Sequence, residues 1–363
     1  MELPGSSAEI TIEWLNDALS STIESRAITG FERAVIGEGA GFIGELTRVT
    51  LTYDDPQEGS PRSLIAKLPT GDESIRTLAQ LFGFYEREIR FYEELADKIE
   101  IRTPQRYFSS ADAVAGRYVL LLEDLAPGRC GDQLASCSLE EAKLALTELA
   151  KLQAAWWNSP RLSEFPWLAS TDDSVLLALL QAVYQHSWPK FEEEFTGLLP
   201  TEVIDIGRKF GEQLAALGES LSGRPRTILH TDFRLDNMFF DLADGSPFAL
   251  IDWQLVQQGL GPSDVTYFLA GNFTPDARRQ HEAELLRTYH EALVQHGVAD
   301  YSFEQCLEEY RMSALNFFIF LVTGRENVDM AAYAGRGQTL LDTMVERYTT
   351  AILDLRAADF LPA

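Results

Sequence analysis

The chain of 363 residues has only three cysteines and five histidines, and this scarcity excludes several kinds of site. Cys130, Cys137 and Cys306 form no C-x-x-C pair, so the sequence predicts neither a disulfide framework nor a zinc site. Basic residues are also few: 30 lysines and arginines stand against 56 aspartates and glutamates, for a net charge of -26. Such a chain is unsuited to binding a nucleic-acid backbone or an anionic membrane surface, although it permits a cationic substrate.

Long hydrophobic runs are missing as well. Among the longest is the segment 315–322, which is far too short to span a bilayer. The first residues do not resemble a secretory signal, and no repeat of fixed period is visible. We therefore expect a cytoplasmic protein without a membrane partner. The 45% hydrophobic content is sufficient for a sizeable core, and the length suggests two or three packing units.

Three polar residues stand out in the segment 227–253, where short apolar runs alternate with turn signals. Asn237 follows Asp232 by five positions, and Asp252 follows Asn237 by fifteen. The pair Asp244-Gly245 is a strong hairpin signal, so the three residues are expected at strand ends that converge on one place. Taken singly, each is also an ordinary turn residue.

This set of residues fits phosphoryl transfer. That reaction requires metal ions to neutralise phosphate charge and one carboxylate to orient the attacking hydroxyl. Our hypothesis is that Asp232, Asn237 and Asp252 hold a magnesium-bound nucleotide and a substrate hydroxyl together.

A glycine-rich segment lies upstream, at residues 37–44, between two strand candidates. Four glycines in eight positions, among them Gly39 and Gly41, would let the backbone approach a ligand closely and direct amide groups at phosphates. Phe42 belongs to the same segment. Any tight turn also uses glycine, so the segment alone is weak support.

Lys67 lies within an apolar strand predicted for residues 63–69. A buried lysine needs an anion beside it, and a nucleotide phosphate would serve; the alternative is a lysine at a sheet edge whose ammonium reaches solvent. Glu88 belongs to a helix predicted for residues 74–98, on a side that neighbouring aromatic residues turn towards the sheet. We expect Glu88 to pair with Lys67.

A long buried strand predicted for residues 118–125 ends in polar residues before Pro127-Gly128. We expect the chain to leave its first lobe here and the main chain from Glu123 to Leu125 to face the adenine base. From Ser138 onward helical patterns dominate, beginning with a capping box and continuing at residues 172–187 and 201–221.

With these residues in place, the chain resembles the aminoglycoside phosphotransferase and choline kinase superfamily, and most closely its ecdysteroid-kinase-like branch. The sequence HTDFRLDN at residues 230–237 is similar to the catalytic loop H-G-D-x-x-x-x-N, and Asp252 stands where the family has its second metal-binding aspartate. The resemblance implies an α+β, protein-kinase-like fold of two lobes. The small β-rich lobe would comprise residues 1–124 and bind the nucleotide, and the larger helical lobe would comprise residues 125–363.

The resemblance also implies individual roles. Asp232 would orient the acceptor hydroxyl or take its proton, and Asn237 and Asp252 would bind Mg²⁺. The remaining positions would bind ATP, and they are Gly39, Gly41, Phe42, Lys67, Glu88, Glu123 and Leu125. His230 would support the loop.

Two positions depart from the family pattern. Thr231 replaces the usual glycine and could strain the loop. Gln153 stands where relatives tend to have histidine, and it would affect packing or the substrate pocket. Neither change removes a reacting group.

The sequence therefore predicts a small-molecule kinase that transfers the γ-phosphate of ATP to a hydroxyl. The alternative is a catalytically silent nucleotide-binding scaffold or sensor, which would be expected to lose the lysine, the loop aspartate or a metal ligand. A protein kinase is disfavoured because a helix begins soon after Asp252 and leaves little room for an activation loop. The sequence does not decide whether the acceptor is an amine or an apolar compound.

Overall fold

The computed structural model describes residues 1–23, 28–36, 44–57, 59–112, 116–327 and 336–362. The chain divides into two compact units. The first consists of Met1–Lys98, Arg102–Arg129 and Phe239–Gln254. The second consists of Ile99–Ile101, Cys130–Met238 and Leu255–Ala363.

An antiparallel sheet forms the centre of the first unit. Its strands are β1 (Ile28–Ile36), β2 (Gly44–Tyr53), β3 (Ser63–Pro69), β4 (Arg106–Asp112) and β5 (Arg117–Glu123). They lie in the order β1-β2-β3-β5-β4, so β3 is central. Lys67 on β3 is opposite Leu46 of β2 and Leu120 of β5, which excludes the sheet-edge alternative for this lysine.

Helix α1 comprises Ile12–Leu19. The side chain of Thr11 accepts a hydrogen bond from the Trp14 N–H and so caps the first turn. Trp14 and Leu15 then pack into the core cluster that covers one face of the sheet.

The predicted helix 74–98 is interrupted. It forms α2 (Glu73–Leu81), α3 (Phe84–Arg90) and a π-helical turn at Phe91–Leu95. Gly83, with φ 66°, separates the first two because it adopts the left-handed conformation that glycine tolerates best. The break lets α3 take its own direction and carry Glu88 to β3.

The second unit is mainly helical. Its helices are α4 (Leu139–Ala155), α5 (Ser174–Phe195), α6 (Thr201–Ser220), α7 (Pro262–Asn272), α8 (Pro275–Gln295), α9 (Phe303–Ser313), α10 (Phe317–Asn327) and α11 (Arg336–Asp354). The predicted capping box is confirmed, with Ser138 and Glu141 at the start of α4. Helix α4 packs on α8, α5 packs on both α6 and α10, and α7 packs on α9.

Glycines of α6 permit its close approach to α5. A Cβ atom added at Gly211 would lie 2.4 Å from the Tyr184 ring, and one added at Gly218 would lie 2.4 Å from Leu177. Tyr184 itself is fully buried, and its hydroxyl donates to the Gly207 carbonyl oxygen at 2.9 Å. The two helices therefore share a seam that has no room for larger side chains.

Asp232, Asn237 and Asp252 lie in a region of short strands. They are β6 (Arg129–Cys130), β7 (Thr227–Leu229), β8 (Met238–Phe240), β9 (Phe248–Leu250) and β10 (Gln257–Gly259). Strands β7 and β10 pair antiparallel, and the others form a sheet in the order β6-β8-β9. As predicted, Asp232 lies in the loop after β7, Asn237 directly precedes β8 and Asp252 follows β9.

Sheet and helices together confirm the predicted α+β class. Within the described part of the chain, no helix is both long enough and apolar enough to traverse a bilayer.

Candidate active site

Lys67 is the centre of a buried ionic cluster in the first unit. Its Nζ donates to Glu88 Oε1 at 2.6 Å and to Asp252 Oδ1 at 3.0 Å. The second oxygen of Glu88 accepts a hydrogen bond from the Tyr118 hydroxyl at 2.8 Å. The predicted pair of Lys67 and Glu88 therefore forms, and the lysine also holds an aspartate from far along the sequence.

Two neighbouring carboxylates, those of Glu88 and Asp252, stabilise the protonated form of Lys67. Lys67 is 6% exposed and Glu88 is 0% exposed. Burial alone would lower the pKa of the Lys67 ammonium, but Asp252 and Glu88 outweigh burial and raise that pKa. The side chain is thus a cation fixed between two carboxylates, ready to contact an anionic ligand.

Asp252 is positioned by the main chain and by the residue after it. Its φ of 65° is unusual for a residue other than glycine, and such strain is concentrated at functional sites. Trp253 is fully buried and stacks on Phe91, with ring centroids 4.1 Å apart. The Trp253 Nε1 also donates to the Leu250 carbonyl oxygen at 3.2 Å. This anchor holds the aspartate against Lys67.

Asp232 is the centre of a cluster in the second unit. Arg234 Nε lies 3.0 Å from each of its two carboxylate oxygens. The Tyr267 hydroxyl donates to Oδ1 at 2.9 Å, and the Asn237 amide donates to Oδ2 at 2.8 Å. Arg234 Nη1 also donates to Asp236 Oδ2 at 3.1 Å. The carboxylate is therefore held at both oxygens, with 16% of its side chain exposed.

These contacts favour the ionised form of Asp232. Burial would raise the pKa of the carboxyl, but the charge and hydrogen bonds of Arg234, the charge of His230 and the Tyr267 hydroxyl together lower it. A carboxylate with a lowered pKa is a weak base in the resting site. It is better suited to orienting a hydroxyl than to removing its proton before transfer begins.

The loop that carries Asp232 is tied to Asp264 at the start of α7. The N–H groups of His230 and Thr231 each donate to the Asp264 carboxylate at 2.8 Å. Thr231 has a φ of 71°, so the residue that replaces glycine adopts a conformation that glycine would take more easily. Burial raises the pKa of Asp264 to about 7, although the backbone hydrogen bonds oppose that shift.

Gln153, the second departure from the family pattern, supports the same carboxylate. Its Nε2 donates to Asp264 Oδ2 at 3.2 Å, and its Oε1 accepts a hydrogen bond from the Tyr289 hydroxyl. The side chain is fully buried. Gln153 therefore belongs to the support of the loop.

The side chain of Asn237 is oriented by Asp232. Its Nδ2 donates both to the carbonyl oxygen and to the carboxylate of Asp232, so the amide oxygen is directed away from these two acceptors. In the first unit, Asp252 accepts one hydrogen bond, from Lys67, and 29% of its side chain is exposed. No three His, Cys, Asp or Glu side chains of the described chain gather as metal ligands. Mg²⁺ commonly takes one or two protein oxygens and completes its shell with phosphate and water, and Asn237 and Asp252 each carry an oxygen of the kind that it binds.

In the segment proposed to face the base, the side chains of Glu123 and Leu125 both contact other parts of the protein. The Glu123 carboxylate accepts hydrogen bonds from Arg102 at 2.7 and 2.9 Å and from the Gln105 N–H at 2.9 Å. Leu125 is buried in a small apolar cluster with Leu242 and Ala249. Both side chains are thus engaged in structure. Two main-chain groups are engaged as well, since the Glu123 N–H donates to the Gln105 carbonyl oxygen and the Leu125 carbonyl oxygen accepts from the Gly128 N–H, both at 2.8 Å.

The structure brings Lys67, Glu88 and Asp252 together in the first unit and Asp232 and Asn237 together in the second, while Glu123 and Leu125 belong to neither cluster. Gly39, Gly41 and Phe42 lie outside the described residues. Sequence reasoning assigned no function to Arg234 or Tyr267. Arg234 had a signal, since it is a cation two positions from the loop aspartate. Tyr267 had none, because only the fold brings α7 to the loop.

Comparison with known proteins identifies a family. The model of the ecdysteroid kinase-like family matches residues 38–164 and 166–298, well over half of the chain. No curated protein matches the chain.

Solved structures resemble the chain over most of its length. A choline kinase from Cryptosporidium parvum has a TM-score of 0.57 at 11% identity, covering 98% of both chains. An ethanolamine kinase from Plasmodium vivax has a TM-score of 0.56 at 14% identity, covering 90% of this chain and 83% of its own. The GDP complex of an aminoglycoside 2'-phosphotransferase variant has a TM-score of 0.54 at 14% identity, covering 92% and 97%. At such low identity these likenesses establish the fold, and they confirm the predicted kinase-like architecture.

Proposed function

We propose, from the premise that this chain belongs to the ecdysteroid kinase-like family, that it transfers the γ-phosphate of ATP to a hydroxyl of a small molecule. The observation that carries the proposal is Lys67, a buried cation held between Glu88 and Asp252. A lysine paired with a helix glutamate is the arrangement by which kinases place a cation on nucleotide phosphates.

The nucleotide would be bound by residues 1–124. Lys67 contacts the phosphates, with Glu88 fixing its ammonium. The amides of Gly39, Gly41 and Phe42 surround the phosphates, and the main chain at Glu123 and Leu125 contacts the base.

Mg²⁺ would be held by Asn237 and Asp252, and it supplies charge neutralisation at the phosphates. The two residues offer an amide oxygen and a carboxylate, which are hard ligands of the kind magnesium prefers. Asn237 keeps its amide oriented through Asp232, so the metal site and the acceptor site share one hydrogen-bonded loop.

Asp232 would receive the acceptor within residues 125–363. The carboxylate accepts a hydrogen bond from the hydroxyl and aligns its oxygen for attack. Since the pKa of Asp232 is lowered, the proton passes to it late, as the hydroxyl becomes acidic on bonding to phosphorus. Orientation, more than early deprotonation, is then the contribution of this residue.

The test is transfer from MgATP, with MgGTP in parallel, to a panel of alcohols, sugars, aminoglycosides, choline-like amines and sterols. Phosphorylated products are detected by mass spectrometry. For a productive acceptor, Asp232→Asn should lower kcat by about 10²- to 10⁴-fold while nucleotide affinity stays close to that of the wild type. Asp205→Asn is the matched control, since it neutralises a carboxylate that is 54% exposed on α6.

Undiminished transfer by the Asp232→Asn variant would refute the proposal. The silent scaffold makes a different prediction, namely that nucleotide binds but no acceptor is phosphorylated. Intact Lys67, Glu88, Asp232, Asn237 and Asp252 argue against that alternative, because a chain that only binds has no need of the full set.

A further inference from the structure

The acceptor positions of the Asp232 carboxylate are all occupied by protein groups. Oδ1 accepts hydrogen bonds from Arg234 Nε and from the Tyr267 hydroxyl. Oδ2 accepts from the same Arg234 Nε and from the Asn237 amide. A carboxylate offers about four lone-pair positions, two on each oxygen. An incoming hydroxyl must therefore displace a donor before Asp232 can hold it.

The three donors are not equally easy to displace. Arg234 is charged and is bound at the same time to Asp236, so its removal would break an ion pair at both ends. Asn237 is attached twice, to the carboxylate and to the carbonyl oxygen of Asp232. Tyr267 is attached to the carboxylate by one hydrogen bond from a neutral phenol, which is the weakest of the three attachments.

The phenol also resembles the group it would give way to. It is a hydroxyl that donates to Oδ1 at 2.9 Å, and an acceptor hydroxyl oriented by Asp232 would make the same kind of bond. Burial raises the pKa of the Tyr267 hydroxyl well above its ordinary value, so it keeps its proton and remains a donor.

Tyr267 is held in place by aromatic neighbours. Its ring centroid lies 4.9 Å from that of Phe320, 5.7 Å from that of Tyr348 and 6.5 Å from that of Phe317. Helix α7 thus presents the hydroxyl from a packed cluster of α7, α10 and α11. The hydroxyl can keep its place without any ligand.

We propose that the Tyr267 hydroxyl occupies the position of the acceptor hydroxyl until an acceptor displaces it, and so withholds Asp232 from water. This rests on the proposed function. A kinase that oriented water as readily as its acceptor would hydrolyse ATP: the water oxygen bonds to the γ-phosphorus, and the bond to the β,γ-bridging oxygen breaks. The electron pair leaves with ADP, and the proton of the water passes through Asp232 to solvent. Tyr267 suppresses this reaction because water is too weak a competitor for Oδ1.

The test is acceptor-independent hydrolysis of MgATP, which requires no knowledge of the acceptor. Tyr267→Phe keeps the ring and removes the hydroxyl, so we expect hydrolysis to rise about tenfold above the wild type. The added hydrolysis should disappear in the Tyr267→Phe, Asp232→Asn double variant.

Tyr184→Phe is the matched control. It removes a buried hydroxyl that makes a hydrogen bond of 2.9 Å, but the partner is a main-chain carbonyl oxygen in the seam of α5 and α6. This variant should hydrolyse MgATP at the wild-type rate.

The outcomes separate the two proposals. If the wild type binds MgATP and transfers phosphate in an Asp232-dependent way, but Tyr267→Phe hydrolyses no faster than Tyr184→Phe, the role of Tyr267 is refuted and the kinase assignment stands. Hydrolysis that persists in the double variant also refutes that role. If calorimetry detects no binding of MgATP to the wild type, both proposals fall.

Discussion

Lys67 and Glu88 show at the residue scale how a site is built into a core. The carboxylate of Glu88 is fully buried and depends on Lys67 and Tyr118 for its hydrogen bonds. An unpaired charge in such a place is costly, so the two side chains support each other's burial. The pair therefore contributes to folding as well as to any ligand.

Breaking this pair should destabilise the protein. Lys67→Met leaves Glu88 without its cation and should lower the free energy of unfolding by about 3–5 kcal/mol. Adding Glu88→Gln should recover much of that loss, because no buried charge is then left unpaired. Urea denaturation of the two single variants and the double variant measures the coupling, and strictly additive losses would contradict it. Nucleotide turnover should stay lost in the double variant.

Asp264 gives a prediction of pH dependence. Burial raises its pKa in the folded protein to about 7, well above the ordinary range of an aspartate carboxyl. The stability it contributes is therefore fully present below about pH 4 and is lost as the pH rises through 7. Asp264→Asn resembles the protonated form at every pH. The stability of the wild type relative to this variant should fall from pH 4 to pH 7 in denaturation series, and a constant difference would show that the carboxyl does not titrate there.

The sequence predicts those site residues that a motif or a spacing marks. Lys67 and Glu88 were paired correctly, because a buried cation requires an anion and aromatic neighbours turned Glu88 inward. The role of Asp264 as the anchor of the loop became visible only in the structure. Hydrogen bonds to backbone N–H groups depend on the path of the chain, which the pattern of side chains does not encode.

At the scale of elements, interruptions were harder to predict than the elements themselves. The strands β2 and β3 and the start of α4 agree with their patterns. The break at Gly83 and the π-helical turn after α3 were missed, because apolar spacing continues through both. The short pairings of β6 and β10 were also missed, since three-residue strands are decided by tertiary contacts.

The seam of α5 and α6 should respond to single methyl groups. Gly211→Ala would place Cβ 2.4 Å from the Tyr184 ring, so we expect a loss of about 1–3 kcal/mol in the free energy of unfolding. Gly324→Ala is the matched control, because no described residue lies within 4 Å of a Cβ added to this glycine of α10. It should gain about 0.5–1 kcal/mol from helix propensity. Equal effects of the two substitutions would mean that the helices can separate without cost.

At the scale of the whole molecule, binding of the proposed metal–nucleotide complex should be visible in the stability of the folded chain. Saturating MgATP at about 100 times its dissociation constant should stabilise the folded chain by about 2.7 kcal/mol. The shift in the thermal midpoint should vanish with EDTA, and it should shrink in both Asp252→Asn and Asn237→Ala. Differential scanning fluorimetry measures it. A full shift in either variant would remove that residue from the metal site.

The discontinuous first unit sets an order of events during synthesis on the ribosome. Phe239–Gln254 belongs to this unit, although more than a hundred residues of the other unit precede it in the chain. Until that segment emerges, the ring of Phe91 lacks Trp253 and the ammonium of Lys67 lacks Asp252. The amino-terminal portion of the first unit therefore stays incomplete until about half of the second unit has been translated. A chain that ends before residue 239 would lack the segment that supplies both of these contacts.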